Sequence, residues 1–437
     1  MIKKILIVSV FITSLISCEK DCDYPLDENP NGEKSSISLE KPIIYENSVE
    51  LNWTVSNDSI TSFNVVRVNG VIDDSYYSSS NTIATNLDNE TLSFIDEEVP
   101  YTPVISYQIQ GLIPNADNPY YSKIIYSNII EYKRDISLIE FETDDIIYYQ
   151  KKDQILFINR NDGLVKAYNF KTKEETDFDF NSGVGFCSLY FGNQKDELLV
   201  PREDGWLYIY NAENFELIEQ IKISAFSIIS SVIKDNIIFN CTSTSDEPMV
   251  VINRNTKEVI SKLTRYGDES RRLEIIPNTN TELFSVNSDE ISYYNYDSNG
   301  NLVSRKFKDP WDSEYAISSQ YKIIPNSKKF ICAPLGNIFN NTISYVNGLP
   351  RGDLKFSDFI INDDGSKVLA ACSNNKSIEV YNLNNLSHIE TISTKGYPYR
   401  IFYNNGILII ISKSSASNNY YSTTNGFIIE EINFSFE

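Results

Sequence analysis

The stretch LYIYNAENFELIEQI, residues 207–221, has two close counterparts elsewhere in the chain. VKAYNFKTKEETDF begins 42 residues earlier, at Val165, and ISYYNYDSNGNLVS begins 84 residues later, at Ile291. Each string alternates apolar and polar residues, as half-buried strands do, and then places asparagine after an aromatic residue. A repeat of 40 to 45 residues in a strand-rich chain indicates one four-stranded sheet for each repeat.

The pair of an aromatic or apolar residue followed by asparagine recurs through residues 136–437, which are long enough for about seven such repeats. We therefore predict an all-β fold in which these residues form a seven-bladed β-propeller. The first residue of the pair should fill the gap between blades, and the asparagine should close a turn by bonding its own backbone. The pair occurs at Tyr168-Asn169, Tyr210-Asn211, Ile252-Asn253, Tyr294-Asn295 and Tyr381-Asn382, with a degenerate copy at Tyr345-Val346.

Each repeat reads as four strands in the same order. In the second repeat these are FCSLYFG, DELLVPRE, GWLYIYN and FELIEQI, and the sixth repeats them with FSDFIIN, SKVLAACS, KSIEVYN and SHIETIS. Strings such as GILIIISK are almost wholly apolar, as expected where both faces of a sheet are packed. The last repeat has only three strands, whereas ISLIEFE, residues 136–142, is a spare strand before the first repeat. We predict that this spare strand completes the last sheet and closes the ring.

The segment 136–437 resembles WD40-like and YVTN-type bacterial propellers. Asn362-Asp363-Asp364-Gly365-Ser366-Lys367 is similar to the first hairpin of their blades. The chain has no clean WD dipeptide or GH pair, so the subfamily stays open. The resemblance implies a ligand site on the loops around a central channel, because the flanks of the blades are used in packing.

Residues 36–134 are predicted to form a separate domain, because short strands and turns follow one another there at intervals of about ten residues. Val49, Leu51 and Trp53 alternate with polar residues, as one face of an antiparallel sandwich requires. The segment resembles a fibronectin type III domain. Trp53 matches its core tryptophan, Tyr107 the tyrosine of its sixth strand and Ser127-Asn128 the start of its last strand. Such domains serve as spacers or as binding modules.

The amino terminus has the parts of an export signal. Two lysines precede an apolar run of twelve residues, Ile5–Ile16. Twelve residues are too few to cross a bilayer core of about 30 Å, so residues 1–17 are predicted to be a signal peptide. Leu15-Ile16-Ser17-Cys18 resembles the lipobox of bacterial lipoproteins, which implies that Cys18 is lipidated and anchors the chain in the outer membrane.

Residues 18–35 are polar and contain Pro25 and Pro30, so we predict a flexible tether. The start of this tether, Cys18-Glu19-Lys20-Asp21-Cys22-Asp23, is similar to the lysine-plus-acid signal of Bacteroidota lipoproteins. That signal implies a position on the outer face of the outer membrane. The alternative is a solvated charge cluster with no address value, which leaves the periplasmic face open.

Composition excludes several functions. With 60 acidic and 38 basic side chains and a net charge of -22, the chain should repel nucleic acid. Its one histidine, His388, argues against multi-histidine zinc sites and against an Asp-His relay. We find no nucleophile-base pair or metal cluster, and predict a non-catalytic protein without a cofactor or metal. Cys187, Cys241, Cys332 and Cys372 sit in apolar strings and are expected to be free buried thiols. The alternative is a disulfide, for which Cys332 and Cys372, in corresponding strands of adjacent repeats, are the best pair.

The predicted ligand site lies where the repeat is most irregular, between Asn295 and Tyr345. Trp311 and Tyr315 stand there among charged residues, a composition suited to stacking on a sugar or holding a peptide. Packing of Trp311 under its own loop is the alternative. We predict a surface binding or scaffold protein whose propeller binds a protein or glycan. The rivals are a periplasm-facing assembly scaffold and a polysaccharide hydrolase or lyase, whose paired carboxylates sequence alone does not reveal.

Overall fold

The structure is a computed structural model, and it is all-β. It describes residues 36–45, 48–70, 82–114, 122–134, 136, 138–192, 195–244, 246–264, 271–279, 281–308, 315–416 and 426–436. Strands make up almost all of its regular structure, and a short 3-10 helix, Gln150–Lys152, is the exception among the described residues. The prediction of an all-β fold is confirmed.

The chain divides into two compact units. The first unit comprises the described parts of Met1–Val99 and Ile105–Tyr132, and the second comprises Pro100–Val104 and Lys133–Glu437. The strands of the first unit are β1 (Ile37–Leu39), β2 (Ile43–Ile44), β3 (Val49–Val55), β4 (Ser62–Asn69), β5 (Thr82–Asp88), β6 (Ser93–Asp96), β7 (Val104–Pro114), β8 (Ser122–Tyr126) and β9 (Ile130–Lys133). They form two sheets. One has the order β1-β3-β2, with β6 also paired to β3, and the other has the order β5-β4-β7-β8, with β9 also paired to β7.

One hydrophobic core holds the two sheets of the first unit together. Trp53 on β3 is 1% exposed and meets Phe63 on β4 edge-on, with ring centroids 5.6 Å apart. The Tyr107 hydroxyl on β7 donates to Asp96 Oδ2 over 2.8 Å, so this buried ring keeps a polar partner. Asn128 ties the last part of the unit to β1, because its Oδ1 accepts from the Leu39 amide over 2.8 Å.

The second unit contains seven consecutive antiparallel sheets, here sheets 1 to 7. In each sheet the strands follow chain order, and sheets 1 to 6 have four strands each. Sheets 1 to 3 are β10 (Asp145–Tyr149), β11 (Gln154–Asn159), β12 (Leu164–Asn169), β13 (Glu175–Asp179); β14 (Ser188–Phe191), β15 (Asp196–Pro201), β16 (Trp206–Asn211), β17 (Leu217–Lys222); and β18 (Ile228–Lys234), β19 (Ile237–Thr242), β20 (Met249–Asn253), β21 (Val259–Leu263).

The remaining sheets repeat this order, and sheet 7 has three strands among the described residues. Sheets 4 to 7 are β22 (Arg272–Ile275), β23 (Glu282–Val286), β24 (Ile291–Tyr296), β25 (Leu302–Lys308); β26 (Tyr321–Ile324), β27 (Lys329–Cys332), β28 (Asn337–Asn340), β29 (Tyr345–Gly348); β30 (Phe356–Ile361), β31 (Lys367–Cys372), β32 (Ser377–Asn382), β33 (His388–Ser393); and β34 (Tyr397–Asn404), β35 (Ile407–Lys413), β36 (Ile428–Asn433).

The asparagine of the repeated pair closes the turn into the fourth strand in sheets 1, 2, 3 and 6, as predicted, whereas in sheet 4 Asp297 takes this role in place of Asn295. In sheet 1, Asn169 Oδ1 accepts from the amides of Lys171 and Thr172, each over 2.9 Å. The turn ends at Lys173, whose φ of 64° lies in the left-handed region. Asn211, Asn253 and Asn382 make the same contact with the amide two residues further on. These asparagines therefore serve folding.

One prediction from the repeat was wrong. Tyr345 begins the fourth strand of sheet 5 and is 40% exposed, so it is not the copy of the repeated aromatic. That position belongs to Phe339, which is 3% exposed and precedes Asn340 at the end of β28. Asn340 Oδ1 accepts from the Thr342 amide over 2.9 Å, as in the other turns. The step from Tyr294 to Phe339 is therefore only slightly longer than the usual repeat.

Neighbouring sheets of the second unit share hydrophobic clusters. Leu198 and Val200 on β15 pack toward sheet 1, whereas Leu199 between them packs toward sheet 3. The second strands are almost wholly apolar for this reason, as the sequence predicted. Further clusters join sheets 3 and 4, 4 and 5, 5 and 6, and 6 and 7. The residue before the repeated asparagine, aromatic in sheets 2, 4, 5 and 6 and Ile252 in sheet 3, lies in the cluster shared with the preceding sheet.

Sheets 7 and 1 also share a cluster. It brings Ile146 and Phe157 of sheet 1 together with Tyr399 and Ile409 of sheet 7. Beside it, Ile139, from the predicted spare strand, forms an antiparallel bridge with Phe427, just before β36. The Ile139 amide donates to the Phe427 carbonyl over 2.9 Å, and the reverse bond is 3.0 Å long. The chain before sheet 1 thus lies beside the third strand of sheet 7.

Candidate functional site

Charged side chains interrupt the apolar pattern on the first strand of sheet 4. Residues on a strand alternate between its two faces. Leu273 and Ile275 therefore pack into the cluster with sheet 3, and Arg272 and Glu274 share the opposite side of β22. The two charged side chains on this face of β22 thus differ from the apolar side chains that pack the sheets against one another.

Arg272 and Glu274 line a cavity formed mainly by the first strands of sheets 2, 3 and 4, here called the first-strand cavity. Its volume is about 290 Å³, close to the lower end of the range of about 300–1,000 Å³ that small-molecule sites occupy. The wall mixes apolar, aromatic, hydroxyl and charged groups. The other lining residues are Phe186, Cys187, Ser188, Leu189, Tyr190, Leu199, Ser230, Val232, Ile233, Leu273 and Ile275.

Arg272 has long ion pairs and no hydrogen bond from its side chain to any described residue. Its Nη1 lies 3.7 Å from Asp145 Oδ1, and its Nε lies 3.8 Å from Glu274 Oε1. Burial alone would lower the pKa of Arg272, but the carboxylates of Asp145 and Glu274 raise it overall. The guanidinium is therefore a stable cation whose five N–H donors remain for water or a ligand.

Asp145 lies behind Arg272 rather than on the cavity wall. It is fully buried at the start of β10, where its Oδ1 accepts from the Ile146 amide over 3.1 Å. Its Oδ2 is also buried and finds no hydrogen-bond partner among the described residues. Sheet 1 thereby contributes a carboxylate that compensates the charge of an arginine in sheet 4.

Burial raises the pKa of Glu274 above its ordinary value, even though Lys322 and Arg272 act in the opposite direction. The carboxylate of Asp358 adds to the increase. The side chain of Glu274 is 24% exposed. Three carboxyl groups, those of Asp145, Glu274 and Asp358, thus raise the pKa of Arg272, and of these three Glu274 lines the cavity.

Phe186 forms an aromatic part of the cavity wall between two arginines. The Arg160 guanidinium lies 4.0 Å from the centre of its ring, and that of Arg272 lies 5.6 Å away. Arg160 is fixed by Asp144, whose Oδ2 accepts from Nε over 2.9 Å. The cation-π contacts hold the ring of Phe186 in place.

Sheet 7 holds another group of cations. The ring of Tyr399 has the Arg400 guanidinium 4.1 Å from its centre and the Lys413 ammonium at the same distance. Burial, together with the positive charge of Arg400, lowers the pKa of Lys413 to about 8. Arg400 Nη1 donates to the carbonyls of Ser357 and Tyr399, over 3.3 Å and 2.8 Å. These cations are packed against an aromatic ring and backbone rather than against the first-strand cavity.

A second cavity, of about 790 Å³, is lined by residues of sheets 1, 5, 6 and 7. Its wall is largely apolar, with Ile323, Phe402 and Phe436 among its members. Lys322 and the hairpin Asn362–Asp364 add polar groups. This hairpin, singled out in the sequence for its similarity to a propeller turn, is therefore part of a cavity wall.

Of the two residues predicted to bind a ligand, Tyr315 is described, and it lines neither cavity. Tyr315 is half-buried and contacts Tyr345, with ring centroids 4.6 Å apart, so it packs against its own sheet. Trp311 lies outside the described residues, as does Cys18, the predicted lipidation site. Lipidation of Cys18 and ligand binding by Trp311 therefore stay predictions.

The cysteines that the structure describes are free buried thiols, namely Cys187, Cys241, Cys332 and Cys372. Cys332 lies in the cluster between sheets 4 and 5, and Cys372 in that between sheets 5 and 6. Burial raises the pKa of Cys372 to about 12, which keeps it protonated. Within the described ranges, no three histidine, cysteine or acidic residues lie close enough to hold a metal ion. No helix in the same ranges is long and apolar enough to cross a bilayer.

Sequence reasoning missed Arg272 and Glu274. The only signal is RRLEII, residues 271–276, in which charged residues alternate with leucine and isoleucine where other first strands are more apolar. Alternation of this kind is also typical of a strand with one face in water. Their proximity to Asp145, far away in the sequence, depends on the packing of sheets 1 and 4.

Comparisons with known proteins add little. No protein-family model matches the chain, and no curated protein matches it. A crystal structure of the computationally designed Ika8 protein is similar over 64% of this chain and 82% of that chain, with 10% sequence identity and a TM-score of 0.45. At that TM-score the similarity carries no statement about fold or function.

Proposed function

We propose that residues 136–437 form a seven-bladed β-propeller closed by the strand at residues 136–142. Seven sheets in chain order, with a shared cluster between each pair of neighbours and another between sheets 7 and 1, support this arrangement. The bridge between Ile139 and Phe427 supports the closure. The ion pair between Asp145 in sheet 1 and Arg272 in sheet 4 is expected if the first strands surround one axis.

The first unit is best accounted for as a fibronectin type III-like domain over residues 36–134. Its two sheets enclose Trp53 and Tyr107, the residues on which the resemblance depends. The side chain of Ser127 also contributes, since its Oγ accepts from the Ile109 amide over 2.9 Å. We assign this domain the role of a spacer.

The chain acts, in this proposal, as a lipid-anchored protein on the outer face of the outer membrane. The support is the lipobox-like segment that ends at Cys18 and the acidic cluster that follows it. Protease treatment of intact cells should cut an outward-facing protein, whereas protection would favour the periplasm-facing scaffold. The variant Cys18→Ala should lose incorporation of labelled palmitate and membrane retention, and the unchanged incorporation of label would overturn the anchor.

The propeller binds a protein or a glycan at the first-strand cavity and does not act on it. The observation that carries this proposal is the pair Arg272 and Glu274. Both side chains line the cavity, and neither forms a hydrogen bond to the described residues. Polar groups placed in this way are typical of sites that fix the orientation of a ligand. The acidic net charge argues against nucleic acid as the partner.

The full-length protein in detergent should therefore bind members of a glycan array or capture a defined surface protein. Arg272→Gln should weaken binding at least tenfold. Arg254→Gln is the matched control, because Arg254 is similarly exposed but its donors are occupied by Glu197 and Glu219. If both variants bind like the unmodified protein, the cavity is not the site.

A polysaccharide hydrolase or lyase is the second candidate, favoured by one observation. The raised pKa of Glu274 suits a general acid, and Asp358, whose carboxylate acts on Glu274, would supply the partner carboxylate. Incubation with plant, algal and host polysaccharides, followed by detection of new reducing ends, distinguishes an enzyme from a binder. An activity abolished by Glu274→Gln would replace the binding proposal with this one.

A further inference from the structure

The wall of the first-strand cavity presents hydrogen-bond donors and acceptors side by side. Arg272 Nε and Glu274 Oε1 are 3.8 Å apart, beyond hydrogen-bond distance. The two side chains are 20% and 24% exposed, so solvent or a ligand reaches both. A guanidinium only donates and a carboxylate only accepts. A ligand group that meets both therefore needs to accept from one and donate to the other.

Charges of both signs surround this pair. Asp145 and Glu274 flank Arg272, while Lys322 offsets the charge of Glu274. An anionic ligand would approach Arg272 but would also meet the carboxylates of Glu274 and Asp145. A cationic ligand would approach Glu274 but would meet Arg272 on the same wall. Like charges placed together at a binding site are strongly unfavourable, so this wall selects against both kinds of ion.

The rest of the wall is apolar or aromatic. Phe186 and Tyr190 present rings, and Leu189 and Ile275 present aliphatic side chains. Within the described part of the chain, the Tyr190 hydroxyl has no hydrogen-bond partner either. The volume of about 290 Å³ suits a small group rather than a folded surface. The ligand group should thus be small, with an apolar face and several hydroxyls.

We propose that the first-strand cavity binds an uncharged pyranose ring at the end of a glycan, with ring hydroxyls that accept from Arg272 and donate to Glu274. This inference rests on the proposed binding function and narrows its ligand from a protein or glycan to a neutral saccharide. The apolar face of the ring packs on the side of Phe186 and Tyr190. Uronic acids and sugars with a free amine are disfavoured by the paired charges.

The test measures binding of the full-length protein, in detergent, to three sets of oligosaccharides on one array. One set ends in glucose, galactose, mannose or N-acetylglucosamine, the second in glucuronate or galacturonate, and the third in unacetylated glucosamine. We expect at least one neutral terminus to bind about tenfold more tightly than its charged counterpart. Arg272→Gln should remove this binding, whereas Arg254→Gln should leave it unchanged.

The variant Glu274→Gln separates recognition from a structural role. Removal of one carboxylate leaves Arg272 with Asp145 as its remaining flanking acid, so the uronate-terminated set should gain affinity relative to the neutral set. If Glu274 had only a structural role, the variant should bind all three sets of oligosaccharides more weakly. Asp196→Asn serves as a control, because Asp196 is a buried carboxylate already bonded to Tyr149 and Lys151.

The outcomes distinguish this inference from the proposed function. Tighter binding of a charged set, binding of a protein but of no glycan, or neutral-sugar binding that survives Arg272→Gln would overturn the inference and leave a binding protein. Absence of binding to any glycan or surface protein would overturn both. Neutral-sugar binding lost in Arg272→Gln and shifted toward uronates in Glu274→Gln would support it.

Discussion

The interfaces between sheets and the first-strand cavity use the same strands in opposite ways. Between sheets 4 and 5, Phe284, Phe330 and Phe339 pack with ring centroids 4.8 and 5.5 Å apart and little or no exposure. At the cavity, Arg272 and Glu274 make ion pairs of 3.7 and 3.8 Å, and their side chains form no hydrogen bond to the described residues. Apolar packing thus holds the sheets together, whereas polar groups without hydrogen bonds to the described residues lie at the proposed binding site.

The largest effect should come from an aromatic residue between sheets. Phe330 is fully buried, so Phe330→Ala should lower the free energy of unfolding by about 3–5 kcal/mol through lost burial and a cavity. Urea unfolding followed by circular dichroism measures this. Phe191→Ala is the control, because Phe191 is 58% exposed. Equal losses in both variants would contradict the contrast between interface and surface.

Removal of a buried tyrosine hydroxyl should destabilise the fold more when that hydroxyl has a hydrogen-bond partner than when it has none. Tyr149 Oη donates to Asp196 Oδ2 over 2.9 Å between sheets 1 and 2. Tyr149→Phe should therefore cost about 1.5–3 kcal/mol, the contribution of a hydrogen bond to a charged group. The Tyr294 hydroxyl is buried and has no hydrogen-bond partner in the described ranges, so Tyr294→Phe should be close to neutral. A reversed order would contradict this interpretation.

The same carboxylate predicts acid sensitivity. Burial alone would raise the pKa of Asp196, but hydrogen bonds from Lys151 and Tyr149 lower it below its ordinary value. A lowered folded pKa contributes stability above the unfolded pKa, and this stability is lost as the pH falls through the folded pKa. The destabilisation by Tyr149→Phe should thus be smaller near pH 2 than at neutral pH, as urea titrations at both values would show.

The repeated asparagines should differ according to their contacts. Asn382 Oδ1 accepts from the Asn384 amide over 2.8 Å, so Asn382→Ala should cost about 1 kcal/mol. In sheet 4 the turn instead uses Asp297, whose Oδ1 accepts from the amides of Asn299 and Asn301. Asn295→Ala should therefore cost less than about 0.5 kcal/mol. Thermal unfolding of the two variants compares them directly.

The smallest predicted change is that of Glu274→Gln, which should stabilise the fold rather than destabilise it. In the folded state the pKa of Glu274 is raised, chiefly by burial. The contribution of Glu274 to stability is therefore full below its unfolded pKa and is lost as the pH rises through its folded pKa. At neutral pH the ionised group opposes folding, and Glu274→Gln should stabilise the fold by roughly 0.5–1 kcal/mol. The gain should disappear near pH 4 in urea unfolding. A destabilised variant at neutral pH would show that Glu274 serves packing.

Periodicity allowed much of the second unit to be predicted. The strands of sheet 6 lie within a residue or so of the strings identified for it, because each begins or ends at a polar turn. The copy in sheet 5 was misplaced at Tyr345 because Phe339-Asn340 has no tyrosine. Local pattern is thus a good guide to strands when every repeat uses the same turn, and a poor one when the aromatic residue changes.

The candidate site could not be predicted, because it depends on distances between remote residues. Asp145 and Arg272 meet only when sheets 1 and 4 are in place, and no local string marks such a pair. Trp311 and Tyr315 were chosen by composition; Tyr315 packs on Tyr345, and the ligand role of both residues stays a prediction. Aromatic residues among charges serve packing as readily as binding, so composition alone does not separate the two roles.

The contact between Ile139 and Phe427 has a consequence for synthesis. A chain delivered from its amino end presents Ile146 and Phe157 long before their partners in sheet 7 exist. Until then one apolar flank of sheet 1 stays open to water, where it invites association with other nascent chains. Completion of the second unit therefore waits for its final strand, and we expect stalled or shortened chains to aggregate.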